Sequence, residues 1–287
     1  MGFADAEAVM WVDGVLAPAG EAVIPALDHA VTVGDGVFEA AKVVHGRVFA
    51  LRRHLDRLER SLAALGLPGL DRGLAGRAVE QVLAANADRL APHSHAIIRL
   101  TCTGGIGPLG SGRADHPKLR LLVAVTHHDP PPPAVSAITV PWRRNQQGAL
   151  SGVKSTSYAE NAVSLARARA AGADEAIFAN TAGQLCEGTR SNVFIARQGR
   201  LWTPRLEDGA LAGVTRGLLL EWTEAQPRTI PWDELFGADE VFIASTGSDV
   251  TAVTRLDGRP VGDGRPGPLT LDAARAFAAG QARDLDP

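Results

Sequence analysis

Leu55, Leu58, Leu62 and Leu65 recur at intervals of three and four, and Gly66 follows directly. Apolar residues at that spacing share one face of a 3.6-residue helix, and a glycine just past the last of them is a stop signal. The pattern predicts a helix over 54–65. Residues 75–90 read as a second helix. Around these helices the apolar period shortens. Val9-Met-Trp-Val-Asp-Gly-Val-Leu reads as a strand, a turn at Asp13-Gly14 and the start of a return strand. Residues 37–44 alternate loosely as a strand, and Gly46 turns the chain into strand-like text at 47–51. Residues 96–101 and 119–126 complete a mixed α+β half.

Asp129-Pro-Pro-Pro-Pro133 interrupts the pattern. Four consecutive prolines can neither continue a helix nor lie in a central strand, and they favour a stiff extended connector. The expected division is a small N-terminal domain over 1–128, a linker over 129–135 and a larger domain over 136–287. The second half reads as a strand at 136–140 and an alanine-rich helix over 158–171 stopped by Gly172. Strands follow at 175–179, 193–196 and 201–203, then a helix over 214–225. Strands at 240–244 and 250–253, a turn-rich loop over 258–268 and a terminal helix over 269–282 complete it. No internal repeat is present.

Composition narrows the class. The 287 residues are 45% hydrophobic and 21% charged, as in ordinary globular proteins, and are enough to bury a core without staples. A net charge of −3 with no basic stripe argues against nucleic acid. Cys102 and Cys186 have no metal-type spacing and fit a reducing, cytoplasmic setting. The first residues show no basic region followed by an apolar run, so no secretory signal is expected. No apolar stretch approaches the ~18 residues that a membrane span needs, so no membrane partner is expected.

Chemistry enters with Lys154. It is one of three lysines, with Lys42 and Lys118, among 29 lysines and arginines, and the single tyrosine, Tyr158, lies four residues on. An arginine guanidinium stays protonated and cannot act as an amine nucleophile. A lysine kept among so many arginines is there by chance or for its amine, and the surroundings must decide.

An amine nucleophile in carbonyl chemistry forms a Schiff base with a substrate or with pyridoxal phosphate. The pyridoxal case also needs a partner for the ring nitrogen, a cage for the phosphate and a donor near the phenolate oxygen. Glu187, at a strand end before Gly188, is a candidate for the nitrogen, against the ordinary reading of a surface glutamate. Leu211-Ala-Gly-Val-Thr-Arg216 opens a helix, so the Val214 and Thr215 amides can face an anion with the positive end of the helix dipole. Ser245 and Thr246 follow a strand and offer hydroxyls and amides, and Arg57 offers counter-charge. Each has a plain alternative: a helix cap, a turn, a solvated arginine. Tyr158 is a candidate for the phenolate, or an interior tyrosine. The glycine-rich stretches 34–39 and 104–110 are not nucleotide fingerprints. No HExxH, GxxxxGK[ST] or GxSxG occurs.

In order, Gly34-Asp-Gly-Val-Phe-Glu39, His54-Leu-Asp-Arg-Leu58, the Lys154 segment, Glu187-Gly-Thr-Arg-Ser-Asn-Val-Phe194, Leu211-Ala-Gly-Val-Thr-Arg216 and Ser245-Thr-Gly-Ser248 resemble the class IV aminotransferases. These are the fold-type IV pyridoxal-phosphate enzymes: branched-chain and D-amino-acid aminotransferases and 4-amino-4-deoxychorismate lyases. The resemblance runs from about Trp11 to the last strand. It implies an α/β (α+β) protein with a small N-terminal α+β domain, a larger C-terminal β-barrel-like α/β domain, pyridoxal 5'-phosphate in the cleft, and a homodimer. It makes Lys154 the Schiff-base lysine and proton shuttle, and Glu187 the pyridine partner. Arg57, Val214, Thr215, Ser245 and Thr246 become the phosphate cup. Tyr158 falls within one residue of the family's phenolate tyrosine.

The same resemblance divides on substrate. Val33 stands where branched-chain members carry a tyrosine, and the segment ends Phe38-Glu-Ala-Ala-Lys42, whereas Arg99 matches an arginine of that subfamily's substrate pocket. The Arg-x-His carboxylate trap of D-amino-acid members is missing from residues 104–111, and Phe38 replaces that trap's tyrosine. The Gly-Asp-Gly start and Phe38-Glu39 lean toward the D-amino-acid and lyase branches. Arg190 stands where relatives carry a small residue, and is either a bidentate clamp for a substrate carboxylate or an outward loop arginine. The resulting expectation is transfer of an amino group, preferably from a D-amino acid, to a 2-oxo acid. The alternatives are a lyase forming 4-aminobenzoate and pyruvate, and a branched-chain L-amino acid aminotransferase.

Overall fold

The computed structural model describes residues 7–91, 93 and 95–287. The chain divides into two compact units. One holds the residues up to Pro130 with Val153–Ser157 and Leu285–Pro287; the other holds Pro131–Gly152 and Tyr158–Asp284. The change falls inside the proline run. The short segment that carries Lys154 is grouped with the first unit, although the sequence around it belongs to the second.

The first unit is a six-stranded antiparallel sheet with helices packed on it. Its strands are β1 (Val9–Val12), β2 (Val15–Pro18), β3 (Gly36–Val44), β4 (Arg47–Val48), β5 (Ala96–Thr103) and β6 (Arg120–His127), in the order β2-β1-β6-β5-β3-β4. The β1–β2 hairpin closes at Asp13 and Gly14, both at positive φ, as a two-residue turn between Val12 and Val15 requires. β3 and β5 pair without interruption from Gly36–Thr103 to Val43–Ala96. The helices are α1 (His29–Thr32), α2 (Leu51–Leu65), α3 (Arg72–Ala85) and α4 (Ala87–Leu90).

α2 starts three residues before the expected His54, and only Arg47–Val48 of the strand-like 47–51 is a strand, because Ala50 takes a left-handed conformation that turns the chain into the helix. Leu55, Leu58 and Leu62 are buried as the periodicity predicts, within a core that includes Val37, Ala41, Ile98, Leu100 and Val123. Beside the leucine stripe runs a second buried stripe that is polar: His54, Arg57 and Ser61. The expected helix over 75–90 breaks at Asn86. The Asn86 amide donates to the Val9 and Val82 carbonyls and its Oδ1 accepts the Val9 N–H. The side chain therefore ties the helix end to β1.

The second unit is built on a nine-stranded mixed sheet. Its strands are β7 (Ala134–Arg144), β8 (Glu175–Asn180), β9 (Leu185–Gly188), β10 (Asn192–Arg197), β11 (Arg200–Thr203), β12 (Gln226–Pro227), β13 (Glu240–Ser245), β14 (Asp249–Leu256) and β15 (Arg259–Pro260). They lie in the order β12-β11-β10-β13-β14-β7-β8-β9, with β15 on β14. β9, at one end of this order, runs through three residues into β10, well inside it, so the sheet curls into a half-barrel. α5 (Ala159–Ala170) packs on β7 and β8; α6 (Val214–Trp222) and α7 (Pro268–Arg283) pack on each other and on β13, and α7 also on β14. Phe178, Phe194 and Phe242 are fully buried, and the last two stack at 4.6 Å. α6 ends at Trp222 rather than 225 because the Thr223 hydroxyl turns back onto the Leu219 carbonyl.

Candidate active site

In the first unit, Lys154 is held by its own backbone. Its carbonyl accepts the Phe38 N–H at 2.9 Å and its N–H donates to Ser61 Oγ at 3.4 Å. Ser155 bridges Val37, the Thr156 N–H donates to the Gly36 carbonyl at 2.8 Å, and the Thr156 and Ser157 hydroxyls both donate to the Gly34 carbonyl. This close approach explains the two glycines. A Cβ on Gly34, which has φ +72°, would lie 2.5 Å from Ser157 Oγ, and one on Gly36 would lie 2.7 Å from the Cys102 carbonyl. The Lys154 Nζ sits 4.5 Å from the Phe38 ring centroid and the Arg99 guanidinium 3.7 Å from it, so two cations meet one buried ring. Register places Arg99 and Phe38 on one face, since Ala40 pairs with Arg99 and Phe38 with Thr101.

On the other face of β3, Glu39 is fully buried and accepts from Arg57 Nε, Arg57 Nη2 and His54 Nδ1, each at 2.7 Å. Burial alone would raise the Glu39 carboxyl. The Arg57 charge and the hydrogen bonds from Arg57 and His54 outweigh it and hold the group at about 2. Burial depresses the His54 imidazole below its ordinary 6.5; Glu39 opposes that, and the charges of Arg57 and Lys154 add to it. The polar stripe of α2 thus reaches the Lys154 segment through Ser61 and fixes Arg57 through Glu39.

In the second unit, Glu187 lies in β9 with Oε2 accepting the Leu211 N–H at 2.9 Å. Leu211 begins the turn into α6, whose first turn has Gly213 at the N-cap and no side-chain cap. A Cβ on Gly213 would lie 2.0 Å from Asn192 Oδ1, and the Asn192 amide donates to the Leu211 carbonyl. One turn therefore connects Glu187 to the amides of Val214 and Thr215. β10 pairs Asn192 with Ala244, which brings the Ser245–Thr246 turn beside the same loop. An uncapped helix start drawn tightly against a strand end, with a carboxylate attached to it, fits a phosphorylated pyridine.

Tyr158 precedes α5, and its hydroxyl donates to the Thr189 carbonyl at 3.2 Å; Asn161 donates to the same oxygen. Arg190 is exposed on the next residue of that loop. Sequence reasoning missed what holds the loop. Glu175, 1% exposed, accepts from the Thr189 N–H, the Thr189 hydroxyl and the Ser191 hydroxyl. An acid opening the apolar run Glu175-Ala-Ile-Phe-Ala was the available signal. It also missed Glu39 and His54, although His54 and Arg57 stand three apart on one helix face, the spacing of a shared partner.

The family described as amino-transferase class IV matches the chain over residues 36–256. The chain belongs to the class IV aminotransferases. This aminotransferase is 30% identical to the D-alanine aminotransferase of Bacillus licheniformis over 92% of its own length and 94% of the relative's. It is 28% identical to the branched-chain-amino-acid aminotransferase of Pseudomonas aeruginosa, covering 96% and 94% of the two chains. Among solved structures, the hypothetical aminotransferase of Mycobacterium tuberculosis in its pyridoxal-phosphate-bound form superposes with a TM-score of 0.82 at 29% identity, covering 95% of this chain and 98% of that one. The aminotransferase has the fold-type IV architecture and depends on pyridoxal phosphate, as the motif order implied.

Proposed function

We propose that this aminotransferase takes its amino group from a D-amino acid and passes it to a 2-oxo acid. The observation that carries an α-amino acid as substrate, of either hand, is the placement of an amine and a guanidinium, Lys154 Nζ and Arg99, against the one ring of Phe38. An α-amino acid presents an amine-bearing carbon and a carboxylate a short distance apart, and this pair answers both. The D-alanine relative, matched over 92% of the chain, supports the stereochemical preference.

Pyridoxal phosphate supplies an aldehyde for amine exchange and a ring that withdraws electrons from the substrate α-carbon. Lys154 gives the amine that holds the aldehyde and then carries the proton to and from the α-carbon. Glu187 accepts the hydrogen bond of the ring nitrogen. Arg57, oriented by Glu39, binds phosphate with Val214, Thr215, Ser245 and Thr246. Tyr158 serves the phenolate side, Arg99 and Arg190 the substrate carboxylates, and Phe38 walls the substrate. The protein works as a homodimer, a reading supported by first-unit apolar side chains in the open: Val23 at 76%, Val31 at 62%, Ile106 at 55% and Leu109 at 75% exposure. Free thiols at Cys102 and Cys186 support a cytoplasmic location, and among the described residues no helix is long and apolar enough to cross a membrane.

Branched-chain chemistry is the second reading, favoured by the Pseudomonas relative. Single half-reactions followed by the cofactor's visible absorption, with D-alanine, D-glutamate, L-leucine and L-glutamate, separate the two. Faster turnover of the D-substrates is expected; L-leucine in the lead would replace the proposal with the branched-chain assignment. Formation of 4-aminobenzoate from aminodeoxychorismate, with no transamination, would replace both with the lyase.

A further inference from the structure

Arg144 ends β7 and is turned into the second unit, its side chain 15% exposed. Its guanidinium lies 4.1 Å from the ring centroid of Phe178, the residue paired with Glu187 across β8 and β9. Its Nη1 donates to Glu160 of α5 in a charge-assisted hydrogen bond. Its Nε is buried, has no hydrogen-bond partner and lies 3.5 Å from Glu187 Oε1. Buried N–H groups without a partner are rare enough to need a reason.

Glu160 receives a direct hydrogen bond, whereas Glu187 stands just outside one, so the Arg144 charge is matched first by Glu160. Glu187 Oε1 faces the Arg144 guanidinium at 3.5 Å, while its Oε2 is fixed by the Leu211 N–H. We propose that Arg144 is a positioning residue for Glu187, and that Glu160, by matching the Arg144 charge, leaves the Glu187 carboxylate strong enough as an acceptor to keep the cofactor ring nitrogen protonated. The proposal rests on the assignment of Glu187 to that nitrogen. It gives a role in the known reaction to two residues that the motif pattern does not mark.

The test uses the protein loaded with pyridoxal phosphate labelled with nitrogen-15 in the ring. Its ring-nitrogen resonance reports protonation directly, and a separate titration gives the cofactor dissociation constant. Glu187→Gln is the benchmark, expected to move the resonance to the neutral-pyridine position. If Glu187→Gln leaves the resonance in place, the assignment of Glu187 itself fails. With that benchmark met, Arg144→Gln should move the resonance part of the way and weaken cofactor binding about tenfold, the scale of one charge-assisted hydrogen bond. Arg144→Lys, which keeps the charge, should recover part of the loss. Glu160→Gln, at a surface side chain, should move the resonance in the same sense, because an unmatched Arg144 then draws on Glu187. Glu160→Gln also serves alone if Arg144→Gln does not fold. An unchanged ring-nitrogen resonance in Glu160→Gln, or in a folded Arg144→Gln, overturns the proposal.

Discussion

Arg57 grips Glu39 with two parallel hydrogen bonds, Nε to Oε1 and Nη2 to Oε2, both 2.7 Å, between side chains 6% and 0% exposed. Removing one partner of such a pair leaves an uncompensated charge in the interior, so Glu39→Ala should destabilise the fold by about 3–5 kcal/mol. Glu39→Gln, which keeps the shape and some hydrogen bonding, should cost less. Urea unfolding measures both, and a loss below about 1 kcal/mol for Glu39→Ala would place the pair among solvent-screened bridges. Because Glu39 aims Arg57, Glu39→Gln should also weaken binding of pyridoxal phosphate.

The same pair gives the stability a pH dependence with a definite sign. The Glu39 carboxyl is held at about 2 in the fold, against 4.5 ordinarily. The unfolded chain therefore takes up the proton first as pH falls. The stabilisation is complete above about 4.5 and is lost as the pH approaches 2, an effect of about 3 kcal/mol. His54 acts in the same sense from a higher starting point, since burial holds its imidazole below 6.5 and the unfolded chain is protonated first there too. Stability should fall as pH drops below about 6.5 and fall more steeply below about 4.5. Thermal unfolding from pH 7 to pH 3 follows this, and the steeper part should flatten in Glu39→Gln.

Gly213 admits no side chain. Its Cβ would meet Asn192 Oδ1 at 2.0 Å, and the Asn192 amide is engaged by Leu211. Gly213→Ala must push the α6 start away from β10 and with it the amides assigned to phosphate. Cofactor affinity should fall at least about tenfold, with a loss of 1–3 kcal/mol in stability typical of overpacking. Fluorescence titration with pyridoxal phosphate checks the first and chemical unfolding the second. Affinity within twofold of the parent would remove α6 from the phosphate assignment.

Tyr158 separates two roles. Its hydroxyl donates to the Thr189 carbonyl, so Tyr158→Phe should cost about 1 kcal/mol of stability, the usual worth of one such bond. A role at the cofactor phenolate predicts, in addition, a shift in the visible absorption of the bound cofactor. A stability loss with an unshifted spectrum would leave Tyr158 as a loop anchor only.

Lys154→Ala should abolish transamination, and borohydride reduction of the parent protein should fix the cofactor on the peptide that contains Lys154. Reduced cofactor found on Lys42 or Lys118 would transfer the role to that residue.

Much of this protein was legible in order. The leucine spacing of α2, the Asp13-Gly14 turn and the glycine stops at Gly66 and Gly172 are local signals, set by which backbone conformations neighbouring residues allow, and the structure follows them. The break at Asn86 was not legible, because it depends on β1, 77 residues away. Gly34 and Gly36 were visible as a glycine-rich stretch, but their reason lies in the Ser157 hydroxyl and the Cys102 carbonyl, which the local sequence does not mention.

The amino-acid sequence by itself supplied a rare lysine, an acid before a glycine, a helix start at Val214 and a hydroxyl-rich turn, each a property of a few adjacent residues, and their order resembles the class IV aminotransferases. Tertiary structure alone decided which charges lie together. Glu39 with Arg57 and His54, Glu175 under the Thr189 loop, and Arg144 between Glu160 and Glu187 are partners from separate strands and helices. Their energies come from burial and from distances of a few ångströms, and neither exists until the sheets have formed.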